Sequence, residues 1–285
     1  MTLVVGFPVT LAPARRLRSY RGSFSASCTI SAVVRARDEA GVIAGSVQSV
    51  AGHVDEIVVV DNCSSDGTVQ ELEAVRDEVE RRGTALRVHE YPHEIARVGT
   101  ENWRMPQSDP RSLASFYNYS FALAAGDWLF KWDADMLLTT RGAMVLDLVR
   151  KGASSWDVHP MSRLPVYVDL DRNAWLDREG ISTERFLYRN TCVARYRKGI
   201  LFEILFSADL SQAPPCDDSI VELKMAAKDE FLNTWTSPVD VQLLGNDHKR
   251  RSAAILSAMS SRQPVEGFEL VRIGKWAERE QRLVR

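Results

Sequence analysis

The chain has 285 residues, 45% of them hydrophobic and 26% charged, with a formal net charge of −2. That length suits one large domain or a domain with a C-terminal elaboration, and the composition is that of an ordinary globular protein. The slight acidity excludes a generic nucleic-acid binder, which carries a basic excess, and no stretch approaches the ~18–20 apolar residues that span a bilayer.

Residues 1–25 read as a flexible leader. Residues 1–11 are apolar, but Arg15, Arg16, Arg18 and Arg21 follow them, the wrong order for a secretory signal. The basic cluster is expected to be a solvated tail, with peripheral contact to an anionic membrane surface as the alternative. From Cys28 the pattern becomes regular. CTISAVVRA reads as a first strand, and Ile43, Val47 and Val50 fall at helical spacing behind it. The run Val58–Val60 is a second strand, followed by a Ser-Ser-Asp-Gly-Thr turn. A helix with Val69, Leu72, Val75 and Val79 on one face comes next, with Ser64 or Ser65 as its expected cap. LRVHEY is a third strand, residues 111–125 a helix, and WLFKW a fourth strand. Strands alternating with helices through short connections predict a mostly parallel, doubly wound α/β sheet with helices on both faces.

Beyond Asp135 the rhythm changes. Residues 142–150 form a helical pattern, 159–170 and 186–196 read as strands, and 219–232 reads as helix. The expected division is a leader (1–25), a first half (26–150), a mixed-sheet half of the same domain (151–243) and a charged C-terminal segment (244–285) that wraps back as a helix. Cys28, Cys63, Cys192 and Cys216 lack C-x-x-C spacing and read as four free thiols of a reducing, cytoplasmic compartment.

Two strings carry chemistry. In DEIVVVDNCSSDGT an apolar run stops at Asp61, and in WLFKWDADM another stops at Asp133 and Asp135. Ligands of open α/β sheets bind beyond the carboxyl ends of the strands. Two such ends presenting acid, one as Asp-x-Asp, suggest a nucleotide site that also holds a hard divalent cation, Mg²⁺ or Mn²⁺, through oxygen ligands.

AVVRARDEAGVIAGSVQSVAGHVDEIVVVDNCSSDGT, followed by DWLFKWDADM, resembles the nucleotide-sugar half of a family 2 glycosyltransferase of GT-A fold, over residues 30–144. The resemblance implies a Rossmann-like donor half and a mixed-sheet acceptor half. It implies a metal-dependent inverting transfer of a sugar from a nucleoside-diphosphate donor, a UDP-sugar foremost, to a glycan or glycolipid hydroxyl, at the inner face of a membrane. Residue by residue, it implies that Ala36, Arg37, Asp38 and Glu39 line the nucleotide, with Asp38 where the family commonly has Asn. Asp61 would bond the base, Asp133 the ribose or the metal through water, and Asp135 the metal directly. Asn118 matches an Asn of the helix before the Asp-x-Asp strand, Arg111 stands where it would meet a phosphate, and His248 would be a third metal ligand. Lys249, Arg250 and Arg251 beside it are either a diphosphate clamp or a solvated face.

The acceptor hydroxyl needs a base. Glu203 in GILFEIL is an acid inside an apolar run, costly to bury without a task. Asp217, Asp218, Asp229 and Glu230 are its rivals. Trp103 and Trp175 are candidates for stacking on a sugar, with ordinary packing as the alternative. Competing functions are a catalytically silent nucleotide- or glycan-binding module and a sugar-phosphate nucleotidyltransferase. The latter needs a Gly-rich loop where RARDEAG has a single Gly. A dehydrogenase is disfavoured because no G-x-G-x-x-G follows a strand.

Overall fold

The computed structural model describes residues 27–96, 100–169, 173–191, 195–199, 203–206, 210–225, 255 and 268–272. Its first half alternates as the sequence predicts: β1 (Ile30–Ala36), α1 (Ile43–Val50), β2 (Glu56–Asp61), α2 (Thr68–Arg81), β3 (Ala85–Glu90), α3 (Thr100–Arg104), α4 (Leu113–Ala122) and β4 (Trp128–Asp133). These four strands are parallel, in the order β4-β1-β2-β3. A strand covered on both faces needs apolar side chains on both, which is why these strands read as continuous runs rather than alternating ones. Ala32, Val34, Ile57, Val59, Phe130 and Trp132 pack against α1 and α2 through Ile43, Val47, Leu72 and Val79. The intervening Val33, Val58, Val60 and Leu129 face the other way, toward α4 and the aromatic groups Phe116, Phe121 and Tyr188. The register sets Ala36 beside Asp61, Asp61 beside Glu90, and Arg35 beside Asp133, so one edge of the sheet collects the strand ends.

The second half is a mixed sheet, as expected. It holds β5 (Met136–Leu138), α5 (Thr140–Arg150), β6 (Val158–Val168), β7 (Asn173–Asp177), β8 (Ser182–Arg189), β9 (Arg195–Lys198), β10 (Glu203–Phe206), β11 (Cys216–Met225) and β12 (Phe268–Arg272). β8 joins β4 antiparallel and continues the sheet through β6 and β7 to β12, while β11 runs parallel to β6 and antiparallel to β5. β9 and β10 form a separate hairpin.

Three expectations need correction. The start of the segment 219–232 is strand β11, not helix: Ser219, Ile220, Val221 and Glu222 are all buried in the slot between β5 and β6. Within 244–285, Phe268–Arg272 is a strand on the edge of β7 rather than part of a helix. Neither Ser64 nor Ser65 caps α2. Gly67 stands at that position, and Asp66 Oδ1 accepts the Thr68 amide at 2.9 Å. Ser64 and Ser65 instead lace this turn to the loop after β1 through Asp38. The expected leader and His248 lie outside the described residues, as do Asp229, Glu230 and Lys249–Arg251. Cys63 and Cys216 are free thiols as anticipated, Cys28 is in no disulfide, and Cys192 lies outside the described residues. No helix among the described residues is long and apolar enough to cross a membrane.

Gly142 shows how closely α5 sits on the second half. A Cβ there would collide with the Ser219 carbonyl oxygen and with Leu138 Cδ1. Overpacking of this kind costs about 1–3 kcal/mol, so Gly142→Ala should lower the urea midpoint with an unchanged slope. An unaltered midpoint would mean that α5 moves freely off β11.

Candidate active site

The sheet edge that collects the strand ends is fixed by backbone capture. Asn62 N–H donates to the Ala36 carbonyl at 2.8 Å, and Asn62 Nδ2 donates to His93 O at 2.6 Å. Asp38 takes the left-handed conformation (φ 53°), donates its N–H to Ser64 Oγ and accepts the Ser65 amide at 2.7 Å. Glu39 N–H donates to Thr68 Oγ1 at 2.7 Å, and Arg37 pairs with Glu94 at 2.6 Å. The loop 36–39 therefore reaches the expected edge, with its polar groups tying β1 to the turn after β2. Asp61 is buried at that turn. Its Oδ2 accepts the Ser64 amide at 3.1 Å, and its Oδ1 is buried with no hydrogen-bond partner.

At the end of β4, Ser46 of α1 holds the backbone: its hydroxyl donates to Asp133 O and accepts Trp132 Nε1–H at 2.8 Å. The Asp133 carboxylate is paired with Arg35 Nη2 from the neighbouring strand. Arg35 is buried, its guanidinium lies 3.7 Å from the Tyr117 ring centroid, and its Nη1 has no hydrogen-bond partner. Burial works against the guanidinium's charge, but Tyr117, Asp133, Tyr196 and Glu203 around it more than offset that and hold it protonated. Burial likewise disfavours the Asp133 anion, yet Arg35, then Lys131, Arg163 and Lys224, pull its pKa down to about 2.

Asp135 is held from the other side by β11. Leu223 N–H donates to Asp135 O at 2.7 Å, and Lys224 Nζ sits 2.7 Å from Asp135 Oδ2 and 2.9 Å from Glu222 Oε1. Arg163 bridges Glu222 at 3.0 Å and Glu184 at 3.1 Å, and Lys131 pairs with Glu184 at 2.8 Å. Burial opposes the Glu222 charge, but Lys224 and Arg163 keep its carboxyl below the usual range. Four carboxylates (Asp133, Asp135, Glu184, Glu222) thus meet four cations (Arg35, Lys131, Arg163, Lys224).

Glu203 is brought to this site. It stands at the start of β10, where its charge bears on both Tyr117 and Arg35. Its described rivals are elsewhere. Asp217 and Asp218 begin β11, at the end opposite Lys224, where Asp217 accepts from Ser162 Oγ at 3.2 Å and Asp218 is exposed near Arg141. Two residues expected to contact the donor are engaged within the chain. Asn118 clamps β9, its Nδ2 donating to Tyr196 O at 2.8 Å and its Oδ1 accepting Tyr196 N–H at 2.9 Å. Arg111 pairs with Asp109 at 3.1 Å in solvent. Trp175 is buried against Tyr167 and Ile255, whereas Trp103 is exposed.

The donor set can be compared with what a divalent cation needs. Mg²⁺ or Mn²⁺ takes several unencumbered oxygens in near-octahedral order. Here one oxygen of Asp135 faces an ammonium and one of Asp133 a guanidinium. Among the described residues no group of three or more His, Cys, Asp or Glu comes together to hold a metal. As arranged, these residues do not fit the cation.

Arg35, Tyr117, Arg163, Glu222 and Lys224 were not found by sequence reasoning. Arg35 carried a usable signal: a cation inside a strand whose seven residues are all buried.

No family model matches the chain, and no curated protein does. Solved structures do show partial similarity. Glucosyl-3-phosphoglycerate synthase from Mycobacterium tuberculosis, solved with phosphoglyceric acid, is 20% identical over 48% of this chain and 44% of that one, with a TM-score of 0.32. The mannosyltransferase PcManGT from Pyrobaculum calidifontis, solved with GDP-Man and Mn²⁺, is 17% identical over 52% and 38%, with a TM-score of 0.32. GalNAc-T7, solved with UDP, GalNAc and Mn²⁺, is 16% identical over 50% and 24%, with a TM-score of 0.34. The matched region spans less than half the length of each of these proteins. At those scores they carry no weight in assigning this chain's chemistry, which has to come from the site.

Proposed function

We propose that the chain is a GT-A-type glycosyltransferase that moves a sugar from a nucleoside-diphosphate donor, a UDP-sugar foremost, to a hydroxyl of a glycan or glycolipid. The observation that carries this reading is Asp61. A buried carboxylate with one oxygen fixed by a backbone N–H and the other without any donor is costly unless a ligand supplies one. The ring N–H of a uracil is such a donor, and the sheet edge at which Asp61 lies is where nucleotides bind in open α/β folds.

The residues around it suit the transfer. Glu203 takes the proton of the acceptor hydroxyl as that oxygen bonds to the anomeric carbon. The bond from that carbon to the donor phosphate breaks, and the nucleoside diphosphate leaves with the electron pair. Direct displacement of this kind inverts the anomeric centre. Arg35 and Tyr117 lie close enough to Glu203 to interact with its charge, and Arg35 and Lys224, beside Asp133 and Asp135, are the cations that would hydrogen-bond the departing diphosphate. A divalent cation at Asp135, as the family resemblance implies, would require Lys224 to leave that carboxylate.

Isothermal titration of UDP, GDP, dTDP and CDP tests the reading. One nucleotide, UDP first, is expected to bind. Asp61→Ala should weaken it by about tenfold or more, the worth of a hydrogen bond to a charged group. Binding of none of the four, or equal binding by Asp61→Ala, overturns the assignment.

A further inference from the structure

We propose that Lys224 is the resident cation of this donor site, seated where a divalent cation would be held, so that the donor diphosphate binds without added metal. This rests on the donor reading above and goes beyond it. The geometry is specific. β11 carries Lys224 past the Asp-Ala-Asp turn, fixed there by the Leu223 N–H bond to Asp135 O at 2.7 Å. The ammonium then lies between two buried carboxylates, 2.7 Å from Asp135 Oδ2 and 2.9 Å from Glu222 Oε1.

A divalent cation placed on Asp135 would meet that ammonium across one carboxylate, like charge against like charge with little water between them. Expelling Lys224 to make room would leave Glu222 dependent on Arg163 at 3.0 Å, although Glu222 Oε2 is already buried without a partner. Removing one member of a buried, hydrogen-bonded charge set is strongly unfavourable. Arg35 protects Asp133 in the same way from the β1 side. Both carboxylates of the Asp-x-Asp pair are thereby matched by fixed positive charge from this chain. An ammonium or guanidinium shared with a carboxylate still has the charge to attract a phosphate oxygen.

The test uses the full chain. Mn²⁺ is titrated and followed by the electron paramagnetic resonance of the free aqua ion. UDP, GDP, dTDP and CDP are titrated calorimetrically in a chelator and in Mn²⁺. Wild type is expected to leave the Mn²⁺ signal undiminished and to bind its nucleotide within about twofold in either condition. Lys224→Ala should open the carboxylates to metal. It should attenuate the Mn²⁺ signal, lose about tenfold or more in nucleotide affinity in chelator, and regain it with Mn²⁺. Lys224→Arg keeps the charge and should keep chelator-resistant binding.

Wild type that attenuates the Mn²⁺ signal, or binds nucleotide only with Mn²⁺, overturns the proposal. So does nucleotide binding by Lys224→Ala that is indifferent to metal. If Lys224→Ala does not fold, wild type and Lys224→Arg still decide it. If no nucleotide binds to any of the proteins, the donor reading has failed, and the Mn²⁺ signal alone decides whether Lys224 bars the metal.

Discussion

Gln in place of Glu203 is expected to lower kcat by about 10²–10⁴-fold while leaving nucleotide affinity and melting temperature close to wild type. The substitution keeps shape and hydrogen-bonding capacity but removes the ability to accept a proton from the acceptor. Glu203 opens β10, paired with Lys198 across the hairpin, and its charge bears on the nearby Tyr117. The hairpin is itself locked to α4 by the two-way amide clamp between Asn118 and Tyr196. Tyr117→Phe removes only the hydroxyl near Glu203 and keeps the ring under Arg35, so it should lower kcat less. Steady-state kinetics with the donor found by titration, scored as kcat and KM separately, checks both. Normal turnover in Glu203→Gln would pass the role to a rival acid, and unfolding would make Glu203 a structural residue.

The first half was legible because parallel strands buried on both faces leave a clear trace. Val58–Val60 and the Trp128–Trp132 run could be little else, and their abrupt ends at Asp61 and Asp133 pointed at the sheet edge. Glu203 stood out for a related reason: an acid in an apolar run has to be accounted for. The same logic applied to Arg35, a cation within the first strand, but was not followed there. β11 falls in a segment that reads as helix, because the polar Glu222 and Lys224 interrupt its apolar run and hide the strand. They are instead the inside of an ion-pair cluster whose partners, Asp135 and Arg163, come from distant parts of the sequence. β12 had no local signature, since its partner β7 lies far back along the chain and only that pairing makes it a strand. Asn118 was placed on the correct helix, but its clamp on β9 was not legible, because a single sequence does not say which hairpin will dock there.

Arg35→Leu should be the most destabilising single change at this site, costing about 3–5 kcal/mol in urea unfolding at neutral pH. Leucine approximates the buried stem but leaves Asp133 without the guanidinium that holds it and Tyr117 without the cation over its ring. The effect carries a pH signature. The Asp133 carboxyl is depressed from 3.8 to about 2, so its pairing stabilises the fold fully above about pH 4 and is lost as pH falls through about 2. The shift corresponds to at most about 2–3 kcal/mol, trimmed further because the side chain is 28% exposed. The gap between wild type and Arg35→Leu should therefore be widest near neutrality and narrow steadily as acid protonates Asp133. Adding Asp133→Asn to Arg35→Leu removes the stranded charge and should restore much of the loss. A gap that stays constant down to about pH 2, or a double variant no more stable than Arg35→Leu alone, would show that Arg35 acts by packing under Tyr117 and not as the partner of Asp133.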